Sequence, residues 1–289
     1  MNRDLSMKDK FSITRMTEQE LNDIALVWAE AEGWNPGIHD ATSFYAQDPH
    51  GFFIGRLGDE PIACAAATTY SDSFAFFGLY LVKIPFRYQG YGMQMTQKRL
   101  DYVGERIIGL DGVLAMCDKY AEIGFRPAHM NIRHQGRASQ ASKVMHPCIS
   151  IIQPSLFPAI MDYDLECFPA PRAAFLNKWL NPTEGLGLVY LDGSEVKGYG
   201  VIRKTVNGNK IGPLFADNQE IAEAILKGLL NHIPNETFFL DTPEPNKMAL
   251  RLASLHQMEP CFSVLRMYRN GRPKMNIYKI FGITTFELG

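Results

Sequence analysis

Leu79-Tyr80-Leu81-Val82-Lys83-Ile84-Pro85-Phe86-Arg87-Tyr88-Gln89-Gly90-Tyr91-Gly92-Met93 is the most informative stretch of the chain. An apolar run from Phe74 predicts a strand through Lys83, and a helical pattern runs from about Met93 to Glu105. Between them lies Arg87-x-x-Gly90-x-Gly92. Strand, glycine-rich loop and helix in that order aim backbone N–H groups at a helix start, where the dipole favours an anion. Glycine lets the backbone approach a phosphate closely. The loop Arg87, Tyr88, Gln89, Gly90, Tyr91, Gly92 and Met93 therefore reads as a grip for a phosphate or pyrophosphate.

Two other phosphate loops fit less well. A dinucleotide fingerprint needs a third glycine, and Met95 stands there. It also opens a βαβ unit, whereas an antiparallel hairpin precedes this loop. Asp111, at a plausible ribose distance, is weak support alone. A nucleotide P-loop needs Gly-Lys-Ser/Thr, which is absent. Short glycine motifs also occur in turns that bind nothing, so the surrounding chain must decide.

Upstream, Phe11 to Thr14 reads as a strand. Thr17 and Glu20 form a capping box before the helical spacing Leu21, Ile24, Ala25, Trp28. Trp34-Asn35-Pro36-Gly37 breaks this helix, and Ala41 to Ala46 forms another. Phe52 to Gly55 and Ile62 to Thr69 form a hairpin around Gly58-Asp59. Downstream come a strand near Gly112 to Ala115, a short helix near Asp118 to Ile123, and a strand near Ala128 to Arg133. The polar stretch ending at Pro147 reads as a strand followed by a surface linker.

The order then repeats. Cys148 to Gln153 is a strand, and Pro158 to Leu180 holds helical pieces interrupted by Pro169 and Pro171. Leu186 to Leu191 and Val196 to Lys204 form a hairpin, and Lys210 to Phe215 a strand. Asn218 to His232 is an amphipathic helix. Thr237 to Leu240 (strand), Asn246 to Leu255 (helix) and Phe262 to Tyr268 (strand) complete the copy. An offset of about 135 residues is too long for a solenoid and suits a duplicated domain. The expectation is an α/β fold of two tandem domains, 1–145 and 146–289, each a mixed β-sheet flanked by helices.

Composition agrees. The 289 residues are 46% hydrophobic and 21% charged, with a formal net charge of −2. That excludes a disordered chain and gives no electrostatic footprint for nucleic acid or an anionic membrane. Five scattered cysteines, with no Cys/His cluster, predict no metal site and suit a reducing cytoplasm. The start, MNRDLSMKDK, lacks the apolar region of a secretory signal. No run approaches the ~20 apolar residues of a membrane span. A cytoplasmic monomer or homodimer is expected.

The first half resembles the GNAT superfamily of acyl-CoA-dependent N-acyltransferases. The superfamily's Gln/Arg-x-x-Gly-x-Gly/Ala loop, between the fourth strand and third helix, is matched by Arg87, Gly90 and Gly92. Its Tyr-x-x-x-Gly-Phe pattern is matched by Tyr120, Gly124 and Phe125. In the second half, Tyr163-Asp164, Cys167-Phe168-Pro169-Ala170, Arg172, Phe175-Leu176 and Trp179-Leu180 resemble the two-domain, YitH-like GNAT proteins. So do Ile211 to Leu214, Asp241 to Asn246, Phe281-Gly282 and the ending Glu287-Leu288-Gly289.

The resemblance implies acetyl-CoA or a related acyl-CoA as cofactor. Its pyrophosphate would lie on the loop, and its pantetheine would pair with the strand edge at Leu81 and Val82. It implies Tyr120 as the acid that protonates the leaving thiolate, and Trp34 and Asn35 beside the acceptor, a small-molecule primary amine. The strand glutamate that serves many relatives as base is missing from Phe74 to Val82. Asp72, His39, Asp40 or a water chain are the candidates. The second copy lacks the loop, and the position of Tyr120 falls near Ala253 and that of Gly124 near Gln257. Only the first domain is expected to bind CoA productively; the second would shape the acceptor site or support it. The alternative is a non-catalytic acyl-CoA-binding or partner-binding module, which the missing carboxylate would favour.

Overall fold

The computed structural model describes residues 10–139 and 145–289. The polar start, 1–9, and the middle of the expected linker, 140–144, lie outside them. Thr17 accepts a bond from the Glu20 N–H and Glu20 accepts one from the Thr17 N–H, so the expected capping box opens helix α1 (18–31). This helix is π-wound over Leu21–Leu26 and buries Leu21, Ala25 and Leu26. Helix α2 (Asp40–Gln47) follows. Strands β1 (Phe11–Arg15), β2 (Phe52–Leu57), β3 (Glu60–Thr69) and β4 (Phe74–Val82) form an antiparallel meander. Alternation along β3 sends Ala63, Ala65 and Ala67 toward α3 (Tyr91–Val103). It sends Cys64 and Ala66 into the core that holds α1.

Next come β5 (Ile107–Val113), α4 (Cys117–Glu122) and β6 (Arg126–Arg137). The second half contains β7 (Ile149–Ile151), α5 (Phe157–Cys167), α6 (Ala173–Trp179), β8 (Gly185–Asp192), β9 (Glu195–Thr205) and β10 (Gly208–Ala216). Helix α7 (Gln219–Leu230), β11 (Thr237–Pro243), α8 (Lys247–Leu255), β12 (Glu259–Arg269) and β13 (Ile280–Gly282) complete it.

β5 and β6 depart from expectation because buried charges on them find partners far away in sequence. β5 begins at Ile107, so that Asp111 and Gly112, where the strand was expected to start, lie within it. β6 continues to Arg137, through polar residues that read as linker. Arg133 and His134 are buried there, and His134 Nε2 lies 3.0 Å from the Thr242 hydroxyl.

Among the described residues the strands form one mixed sheet, ordered β1-β2-β3-β4-β5-β12-β6-β11-β10-β9-β8-β7, with β13 beside β10. β4 and β5 are parallel, as are β10 and β11 on the far side. The centre holds an exchange. β12, from the end of the chain, lies beside β5, while β6 lies beside β11. The two exchanged strands pair with each other, antiparallel.

Each exchanged strand is pinned by a buried arginine directly opposite an aspartate. Arg133 on β6 donates to Asp241 on β11 at 2.7 and 2.8 Å. Arg266 on β12 donates to Asp111 on β5 at 2.7 Å in both bonds. Bidentate geometry satisfies each carboxylate without water, which makes these charges tolerable in the interior. The main apolar cluster likewise runs across the exchange, from Leu21 and Leu26 of α1 to Phe175 and Trp179 of α6. Removing one partner leaves a bare buried charge, which costs about 3–5 kcal/mol. Arg266→Met should therefore lower unfolding free energy in urea by about that much, as one cooperative transition. Adding Asp111→Leu should recover most of the loss.

Candidate active site

Past Phe77, β4 and β5 part. Their pairing joins Phe74–Phe77 to Ile107–Leu110 and stops. β5 continues beside β12, and β4 remains on β3 as far as Val82. At the parting β4 bulges: its register against β3 shifts, and Leu79 adopts φ +46°. A non-glycine residue in this region is strained and is held only by its surroundings. The Cys64 thiol donates to the Leu79 carbonyl at 3.3 Å. The edge of β4 from Gly78 to Val82, without β5 beside it, faces a cavity of about 580 Å³.

Part of the glycine-rich loop lines this cavity. Tyr88 and Gly90 have positive φ (63° and 86°), and Gly90 caps α3 in the left-handed conformation. A Cβ on Gly90 would meet nothing within 4 Å, so glycine is required there for backbone conformation alone. At Gly92 the reason is steric, since a Cβ would collide with the Tyr80 hydroxyl. The N–H groups of the first turn of α3 have no carbonyl inside the helix. Arg87 is already engaged. Its Nε donates to the Val82 carbonyl at 2.8 Å and its Nη2 to Glu32 at 2.7 Å, tying the loop to β4 and α1. Lys119 lies over the Tyr88 ring at 5.3 Å, also at the cavity wall.

Tyr120 projects from α4 into the same cavity. Its ring covers Gly112, where a Cβ would fall 3.0 Å from it, and meets Phe125 edge-on at 6.1 Å. Burial pushes its phenol up to about 12, against the opposing field of Arg99. Gly124 (φ 96°) turns the chain after α4 so that the Phe125 N–H reaches the Tyr120 carbonyl at 3.0 Å. The equivalent turn follows α8: Gln257 has φ 53° and the Met258 N–H reaches the Ala253 carbonyl at 3.0 Å. The backbone of the pattern is therefore kept in the second half, without its tyrosine.

Leu81, Val82, Arg87, Tyr88, Gly90, Gly92, Met93, Tyr120 and Trp34 all line this cavity. Asn35, Gln89 and Tyr91 do not. Asn35 exchanges bonds of 3.4 and 3.2 Å with the Asn207 backbone and joins the two halves. Gln89 donates to the Pro85 carbonyl at 2.8 Å. Tyr91 packs on Phe11, with ring centroids 4.7 Å apart. Trp34 is held by its carbonyl, which accepts from Arg133 at 2.8 Å and Lys210 at 3.3 Å.

The three side chains considered as bases lie elsewhere. Asp72 is fully exposed, His39 pairs with Glu184 at 2.9 Å, and Asp40 is buried against Arg203. Sequence reading missed Phe262 and Val264 of β12, and Phe286 and Glu287, as lining residues. They reach the cavity only because β12 is exchanged and the chain end folds back onto β4. It also missed Arg99, buried between the rings of Phe77 (4.4 Å) and Tyr80 (4.5 Å). Among the described residues no carboxylate pairs with Arg99, and none form a metal-binding cluster. No described helix is long and apolar enough to cross a membrane.

Residues 160–282 match the family model for an acetyltransferase (GNAT) domain. The holothin acyltransferase of Pseudoalteromonas sp. (strain SANK 73390) is 29% identical over 263 residues, covering 91% of this chain and 89% of the relative. A Pyrococcus horikoshii protein assigned as an acetyltransferase superposes with a TM-score of 0.81 at 20% identity, over 100% of this chain and 99% of its own. A tandem GNAT protein from the clavulanic acid biosynthesis pathway gives 0.63 at 11% identity, over 91% and 99%. The protein is an acyltransferase with a GNAT fold. The family match falls in the second half of the chain, whereas β4, the glycine loop and Tyr120 lie in the first.

At the parting of the strands, Gly78 leaves room for the chain end: a Cβ there would collide with the Glu287 carbonyl. Gly78→Ala should cost roughly 1–3 kcal/mol, as overpacking does, measured as a lowered denaturation midpoint.

Proposed function

We propose that the protein transfers the acyl group of acetyl-CoA, or a related acyl-CoA, to the primary amine of a small metabolite. The observation that carries this reading is the parting of β4 from β5. It gives one cavity lined by a helix start, an unpaired strand edge and a tyrosine whose phenol burial holds well up. The N–H groups of the Gly90–Met93 turn would hold the pyrophosphate, and the Gly78–Val82 edge would take the pantetheine amides as a neighbouring strand does. A backbone N–H of the bulge would polarise the thioester carbonyl.

The reaction needs a neutral amine and a proton for the leaving thiolate. With its phenol raised to about 12 by burial, Tyr120 keeps its proton at neutral pH and can give it to the thiolate. We take the chain to be two GNAT units, 1–145 and 146–289. Only the first retains the loop and the tyrosine; the second supports it and supplies Phe262, Val264 and Phe286 to the cavity wall, with Phe262 and Phe286 in the same apolar cluster as Trp34. A wall shared by both halves favours a small acceptor over a protein surface.

Release of free thiol from acetyl-CoA, screened against a library of small amines with holothin included, tests the reading. Acceptor-dependent release supports it; tight acetyl-CoA binding without any release overturns it. Gly90→Ala forces alanine into a left-handed conformation at roughly 1–2 kcal/mol. It should weaken acetyl-CoA binding about tenfold by calorimetry. Tyr120→Phe should lower kcat by ~10²–10⁴-fold with little change in acetyl-CoA affinity. Because the Tyr120 phenol is raised, the wild-type rate should show no descending limb from its ionisation below about pH 11.

A further inference from the structure

Three carboxylates line the cavity: Glu32, Asp111 and Glu287. Two are already neutralised, Glu32 by Arg87 and Asp111 by Arg266. Glu287 forms no ion pair among the described residues. Its Oε2 accepts from the Thr285 hydroxyl, and its N–H donates to that hydroxyl at 2.8 Å. The residue is 3% exposed, so its carboxylate is held against the cavity in a largely dry environment.

The segment that carries it is firmly built. The Ile283 N–H bonds to the Asp241 carbonyl at 2.9 Å, and Arg172 donates to the Thr284 hydroxyl at 3.0 Å. The Tyr70 hydroxyl donates to the Leu288 carbonyl at 2.8 Å. Gly78 and Gly212 are glycines where this backbone passes, since a Cβ at either would strike it. Glu287 thus lies against the strand β4 bulge, on the strand that carries no acidic residue of its own.

Its face of the sheet matters. Tyr120 packs with the cluster beneath α3, whereas Phe286 and Leu288, the neighbours of Glu287, pack with the cluster beneath α1. The Glu287 side chain interacts with Thr285, Arg133 and Lys210, away from the Arg99 and Phe125 that surround Tyr120, so the acid and the carboxylate reach one cavity from separate surroundings. The amine adds from above the plane of the thioester carbonyl while the sulfur leaves from within that plane, so the base and the acid act at separate positions.

We propose that Glu287 is the general base for the acceptor amine, a role that rests on the transferase reading above. The acceptor ammonium gives one proton to the Glu287 carboxylate, and the freed lone pair forms the C–N bond at the thioester carbonyl carbon. As the adduct collapses the C–S bond breaks, and the thiolate takes the Tyr120 proton. The second proton on nitrogen restores that of Tyr120, and Glu287 releases its own to solvent. The charged groups whose fields reach Glu287 are Arg133 on β6 and Lys210 on β10.

The test uses the full chain, acetyl-CoA, and two probe amines that wild-type protein acetylates: a basic alkylamine such as benzylamine, and an arylamine such as aniline, uncharged at neutral pH. Absence of acceptor-dependent release by the wild type would count against the transferase reading itself. Given wild-type turnover, Glu287→Gln should lower kcat for the alkylamine ~10²–10⁴-fold, spare the arylamine, and leave acetyl-CoA affinity unchanged. Its alkylamine rate should rise with pH as free amine accumulates, and Glu287→Asp should restore part of the neutral-pH rate. Unchanged turnover overturns the proposal. So does an equal loss for both amines, or a loss explained by weaker acetyl-CoA binding and a lowered unfolding midpoint, which would mark a purely structural residue.

Discussion

Two reciprocal buried ion pairs hold the architecture together. Arg133 with Asp241, and Arg266 with Asp111, each lock an exchanged strand into the other half's sheet. Neither half holds both members of either pair. Each half also lends out the strand that would otherwise close its own sheet, so the unpaired backbone edge is covered only when both are folded. A buried pair is weak evidence for stability by itself but strong evidence for register, because any slip strands a charge in the interior. The sheet order follows from that constraint.

The same exchange builds the cavity. With β12 beside it, β5 has a partner beyond the point where β4 leaves, so the two parallel strands can part without exposing β5. The gap exposes the β4 edge on one side and presents Phe262 and Val264 on the other. Strain at Leu79 sits at this junction, where the bulge is held by β3 and by the chain end packed on Gly78. The cavity is therefore formed between halves, although the glycine loop and tyrosine come from one of them.

Local patterns were legible in the sequence. The Thr17–Glu20 capping box, both hairpins and the glycine turn before α3 depend on neighbours within a few residues, and they stand where their residues imply. Polar residues with distant partners were misread. Arg133 looked like the end of a strand and His134 like linker, because their partners, Asp241 and Thr242, lie 108 residues away. Asn35 looked like an acceptor contact, but its partner is Asn207.

By itself the sequence determined most secondary elements, their repeated order and the glycine-loop conformation, because these depend on short-range periodicity, capping and glycine freedom. It also determined which half could carry the loop and the tyrosine, since those are matters of residue identity. Only the tertiary structure decided that the halves exchange their last strands. It decided too which carboxylates are spent in ion pairs and which one, Glu287, is left facing the cavity. Strand exchange and charge pairing join residues far apart in the chain, and no local pattern records them.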